Sequence, residues 1–146
     1  MPASLCGVVG LKTTWGRIST AGSAPLHWSI GSVGPITSTA LDAAIAYSFL
    51  AGPDTRQSFT QEQPAVDLKN FENTHLEGVK LGIFYSWFNH ASEDVVKCCE
   101  QMLNSFKSQG AEVKEIDIPH LDAIRVSPAV HITTHMFHSL QSYFNP

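Results

Sequence analysis

A strand–helix–strand succession between residues 78 and 118 constrains this chain more than any other feature. Val79 to Tyr85 is a short apolar run of strand length. Ser92 stands where an N-cap is wanted, and Val95, Cys99, Met102, Leu103 and Phe106 then recur on one helical face. Gly110 stops the helix, and Ala111 to Ile118 returns as a second strand before Pro119. Two strands joined by so long a connection pair in parallel, through a right-handed crossover. Parallel strands need cover on both faces, so the α/β class follows.

The flanking segments are read from punctuation and period. Ala3 to Trp15 carries Val8-Val9 between Gly7 and Gly10, which predicts a short buried strand. Gly16 to Pro35 is rich in glycine, proline and serine and reads as an ordered loop. Thr37 or Thr39 caps the next helix, and Asp42 complements the positive end of its dipole. Leu41, Ala44, Ile45 and Phe49 form its apolar stripe, with Gly52 expected as a left-handed C-cap and Pro53 as the stop. Four segments result: a core segment over 1–53, a polar linker or loop over 54–77, the strand–helix–strand unit over 78–118, and a helical segment over 119–146 interrupted near Pro128.

Composition removes several classes. A hydrophobic content of 43% supports a packed core, and a net charge of −4 without a basic block argues against nucleic acid as a partner. No apolar run approaches the ~20 residues of a membrane span, and Met1-Pro2-Ala3-Ser4 lacks the basic start of a signal peptide. Cys6, Cys98 and Cys99 form neither a disulfide framework nor a redox pair, so thiols in a reducing cytoplasmic or organellar compartment are expected.

Little chemistry is visible in the residues by themselves. There is no Gly-x-Ser-x-Gly elbow, no Ser-x-x-Lys and no phosphate-cradling glycine loop, so no cofactor is expected. Cys6 beside a buried strand is read as an inert thiol. His131, His135 and His138 share one helical face at metal-ligand spacing, but no glutamate accompanies them and no metal is assigned. Trp15, Trp28 and Trp87 are read as core or pocket-lining bulk.

Beyond this, Pro2-Ala3 running into Cys6-Gly7-Val8-Val9-Gly10-Leu11-Lys12 closely resembles the stretch that follows the nucleophile in amidase-signature enzymes. Gly16-Arg17, Pro25-Leu26-His27-Trp28, Val33-Gly34-Pro35-Ile36-Thr37 with Asp42-Ala43, and Ala51-Gly52-Pro53-Asp54 resemble the family's succeeding blocks, in order. Thr13, Gly31-Ser32 and Ser38 depart from the common pattern at a proline, an Asp-Gln pair and an arginine. The run Pro25 to Gly34 is similar to the plant-type branch of fatty acid amide hydrolases. It is less similar to the glutamyl-tRNA amidotransferase component that makes glutaminyl-tRNA by transamidation, which is kept as an alternative.

The resemblance implies a partial amidase-signature fold, a mixed sheet flanked by helices and truncated at both ends. It also implies a Ser–Ser–Lys mechanism: a neutral lysine shuttles protons through one serine to a nucleophilic serine, and glycine-loop amides hold the oxyanion. None of those residues falls in this chain. The pattern places the nucleophile three residues before Met1, and the other serine and the lysine further upstream. What is left here is support, with His27 and Trp28 as candidates to approach the acyl or leaving-group pocket. The parent's partner is a small-molecule amide, with homodimerisation and membrane association left open. The competing reading is a non-catalytic remnant or interaction module.

Overall fold

The structure, a computed structural model, describes residues 1–24, 26–27 and 29–144. The chain divides into two compact units, one formed by 1–71 with 126–146, the other by 72–125.

The first unit opens with α1 (Pro2–Leu5), where Pro2 sits in the first helical turn and its fixed φ suits the helix start. The turn that follows delivers β1 (Val9–Gly10), antiparallel to β2 (Ile36–Thr37) in the register Val9–Thr37 and Gly10–Ile36. The short strand expected at Val8-Val9 forms one residue later, at Val9–Gly10, and is half-buried to exposed rather than buried. Cys6 is exposed, contrary to its reading as a thiol beside a buried strand.

Helix α2 (Ala40–Leu50) packs on β1 and β2. Thr39 is its N-cap: Thr39 Oγ1 accepts the Asp42 N–H at 3.1 Å and donates to Asp42 Oδ2 at 2.8 Å. The helix buries Ala43, beside the apolar stripe, and Phe49 of the stripe is 84% exposed. Its end also differs from expectation. Ala51 is extended (φ −76°, ψ 129°) and bonds the Tyr47 carbonyl, while Gly52 at φ 158° is far from the left-handed value and donates its N–H to the Arg17 carbonyl. Tertiary pairing of Ile18 with Ala51 fixes this exit, so no left-handed cap is needed.

In the second unit β3 (Lys80–Ile83) pairs in parallel with β4 (Glu112–Glu115), from Lys80–Glu112 to Ile83–Glu115. Between them lie α3 (Tyr85–Phe88) and α4 (Glu93–Ser108), with Glu93 and Asp94 at the positive end of α4 and Lys107 at its negative end. Ser92 is the N-cap residue but makes no side-chain capping bond, and Gly110 takes φ 100° beyond the helix. Ile83 and Ala111 are buried; burying an isoleucine contributes roughly 1.5–3 kcal/mol. The Arg125 guanidinium stands over the Trp87 ring at 4.6 Å.

Helix α5 (Leu121–Phe144) runs through Pro128 without a break, where an interruption was expected. Position 128 lies in the third turn, so the proline removes one backbone bond and leaves the flanking turns to hold the helix. Among the described residues no helix is long and apolar enough to cross a membrane.

Candidate functional site

The site builds outward from β1. Leu11 N–H bonds the Pro35 carbonyl at 3.0 Å, extending the ladder and laying Val33-Gly34-Pro35 along Leu11-Lys12-Thr13. The two backbones approach so closely at Gly34 that a Cβ there would overlap the Leu11 carbonyl oxygen. Thr13, 4% exposed, donates its hydroxyl to the Val33 carbonyl at 2.8 Å. A proline at this position could not make that bond, so the departure from the common pattern has a structural role here. The ladder and α2 wall a cavity of about 540 Å³, lined mainly by apolar groups that include Val9, Leu11, Ala43, Tyr47, Leu68 and Phe71. Its size lies in the range of small-molecule sites.

A polar network holds the loop that follows. Gln57 Oε1 accepts from the Thr20 N–H at 2.7 Å and from the Ser19 hydroxyl at 3.1 Å, while its Nε2 donates to Thr20 Oγ1 at 2.9 Å. Thr60, buried, accepts the Asp54 N–H at 2.8 Å and donates to the Gln57 carbonyl at 2.7 Å. Arg56 grips both Asp54 carboxylate oxygens, Nε to Oδ1 at 3.0 Å and Nη2 to Oδ2 at 2.7 Å. That grip holds the Asp54 carboxyl well below the usual range. Arg17 Nε donates to Tyr47 Oη at 2.6 Å, and Trp15 stacks on Phe59 with centroids 4.6 Å apart. Sequence reading missed this network. The Asp54-x-Arg56 spacing was the available signal, since aspartate commonly bonds the backbone two residues on, and Arg56 N–H does bond Asp54 Oδ1.

His27 is buried, 7% exposed, in the loop after the network. Its Nδ1 accepts N–H groups from Ser29 at 3.3 Å and Ile30 at 3.2 Å, and Ser29 Oγ lies 3.4 Å away. Its ring lies against two rings of α5: His135 with centroids 4.2 Å apart and His131 at 4.8 Å. Burial, then the neighbouring His135 and His131, pushes the His27 pKa down. His27 also lines a second cavity of about 470 Å³ with Leu26, Gln57 and Phe59. Trp28, the other candidate named from the sequence, lies outside the described residues.

Comparison with known proteins follows the same outline. The model of the Amidase family matches residues 1–144. One subunit of the glutamyl-tRNA(Gln) amidotransferase of Syntrophobacter fumaroxidans is 38% identical over 120 residues, covering 82% of this chain and 25% of that protein. A fatty acid amide hydrolase of Medicago truncatula is 37% identical over 146 residues, covering 96% of this chain and 24% of that protein. The chain thus spans about a quarter of the length of the curated relatives it matches. Among solved structures, the same-named glutamyl-tRNA(Gln) amidotransferase component of Thermotoga maritima superimposes with a TM-score of 0.76 at 27% identity, over 99% of this chain and 37% of that one. A peptide amidase bound to the competitive inhibitor chymostatin shares the fold, with a TM-score of 0.74 at 22% identity over 94% of this chain and 29% of that one.

Proposed function

The chain belongs to the amidase family, and on that premise we propose that it is the segment following the nucleophile in a serine hydrolase of carbon–nitrogen amide bonds, with fatty acid amides as substrates. The observation that carries this reading is the side-by-side packing of two sequence blocks. Cys6 to Lys12 runs through β1, and Val33 to Thr37 returns beside it through β2, with Gly34 against Leu11. In this reading the ladder braces the nucleophile loop from behind. The reacting serines, the lysine and the oxyanion donors come from the protein's remaining length. The apolar cavity beside β1 supports an acyl chain as ligand, and the loop carrying His27 and Trp28 is assigned to the edge of the substrate path. The match to the plant hydrolase, which runs over 96% of this chain, favours fatty amides over other amides.

The test is to assay the native gene product on long-chain N-acylethanolamines and on short primary amides. A kcat/KM clearly higher on the long-chain substrates is expected, and equal or inverted rates reject the fatty-amide assignment. A second reading, as a component of a glutamyl-tRNA amidotransferase, draws on the 38% identity to the Syntrophobacter protein. Formation of glutaminyl-tRNA by the native protein with its complex, and no turnover of N-acylethanolamines, would establish it instead.

A further inference from the structure

The first unit gathers three imidazoles from distant parts of the chain. His131 and His135 stand one turn apart on α5, and the 26–31 loop adds His27. One ligand nitrogen from each lies within 4.8 Å of the others. Sequence spacing pointed to His131, His135 and His138, whereas the geometry brings in His27. This independent position turns a helical pair into a three-sided donor set.

We propose that His27, His131 and His135 bind a late first-row divalent ion, zinc foremost. Three features support this assignment. Neutral imidazole suits zinc, copper and nickel, whereas magnesium and calcium take oxygen ligands. The i, i+4 pair presents two nitrogens on one helical face, the spacing used in helical zinc sites. His27 is more than nine-tenths buried, and its Nε2 has no hydrogen-bond partner among the described residues. With the ring proton moved to Nδ1, this buried nitrogen offers an unused lone pair beside two further imidazoles.

Zinc sits about 2.0–2.1 Å from each nitrogen, so tetrahedral ligands lie about 3.4 Å apart. Rotation of the rings out of their stack is therefore required. The ion at Nε2 leaves the proton of His27 on Nδ1, which turns from acceptor to donor. Ser29 Oγ, 3.4 Å away, is placed to receive that proton in a hydrogen bond, and the Ser29 and Ile30 N–H contacts are released. Three protein nitrogens leave a fourth position for water, and the ion ties the 26–31 loop to the helix. This inference is independent of the amide-hydrolase reading.

The native gene product, purified without a histidine tag, is stripped with chelator and its thiols alkylated, because exposed cysteines also take zinc. Cobalt(II) is then titrated by its visible d–d bands, with zinc in competition. One equivalent with tetrahedral bands is expected. His27→Gln and His131→Gln should each weaken it by about 100-fold, at the upper end of what outer-shell changes produce, and Ser29→Ala by about 10-fold. His75→Gln should leave it unchanged. His131 is exposed, so its substitution tests the site even if His27→Gln disturbs folding. Absence of an equivalent in the wild-type protein, or unchanged affinity in His131→Gln, overturns the proposal.

Discussion

At the residue scale, backbone proximity sets the strictest demands. Gly34→Ala forces a methyl group into the Leu11 carbonyl, and neither backbone can yield without breaking the Leu11–Pro35 bond. A loss of about 2–4 kcal/mol is expected for such an overlap in the native gene product, read from its urea midpoint. Gly7→Ala is the comparison: Gly7 has φ 64° but open space around it, so about 1 kcal/mol of left-handed strain is all it should lose. Thr13→Val keeps the shape and removes the bond to the Val33 carbonyl, for a loss of about 1 kcal/mol in the same titration. The glycine and threonine positions were legible in the sequence as pattern, but the reason for each was not. A carbonyl approaching from Leu11 leaves no trace in the residues around Gly34. The same holds for His27, whose partners on α5 lie far along the chain and share no local period with it.

At the element scale, the parallel β3–β4 pair was the most readable part, because a strand–helix–strand period leaves few topologies open. Short elements were not readable. Helix α1 lies just before the Val8-Val9 centre read as strand and was not read, although Pro2 is a helix-start residue, and α3 begins at Tyr85, the last residue of the β3 run. Helix α5 shows the converse, a breaker that does not break. Pro128→Ala restores an N–H to the ladder, so helicity by circular dichroism should rise and stability increase by about 1–3 kcal/mol.

The 54–60 loop carries its own acid sensitivity. The Asp54 pKa is depressed in the folded state, so its contribution is complete above the unfolded value and declines as the pH falls. The loop should therefore loosen below about pH 4, the ordinary aspartate range, as seen in its rate of proteolytic nicking. Arg56→Ala should flatten that dependence, since the guanidinium is the main cause of the shift. An unchanged acid profile in the variant would locate the sensitivity elsewhere.

At the scale of the whole molecule, apolar surface is the dominant fact. Ile18, Ala43, Ile83 and Ala111 are the buried apolar residues among those described, whereas Leu5 is 80% exposed and the α2 stripe faces outward. That stripe was read from its period, and the period did identify an apolar face. It could not identify the cover. Exposed apolar area on this scale marks a surface that other structure covers. The 146-residue chain by itself should therefore bind a hydrophobic dye and melt broadly. A sharp, cooperative transition in a monodisperse sample would refute this.

The two compact units also differ in what surrounds their indoles. Trp15 lies against Phe59 in one unit, and Trp87 lies beneath the Arg125 guanidinium in the other. In the 146-residue chain with Trp15 and Trp28 replaced by phenylalanine, the remaining indole fluorescence belongs to the second unit alone. A change in its emission as Arg125 and His90 leave the ring would time the opening of one half of the chain while the other half stays dark.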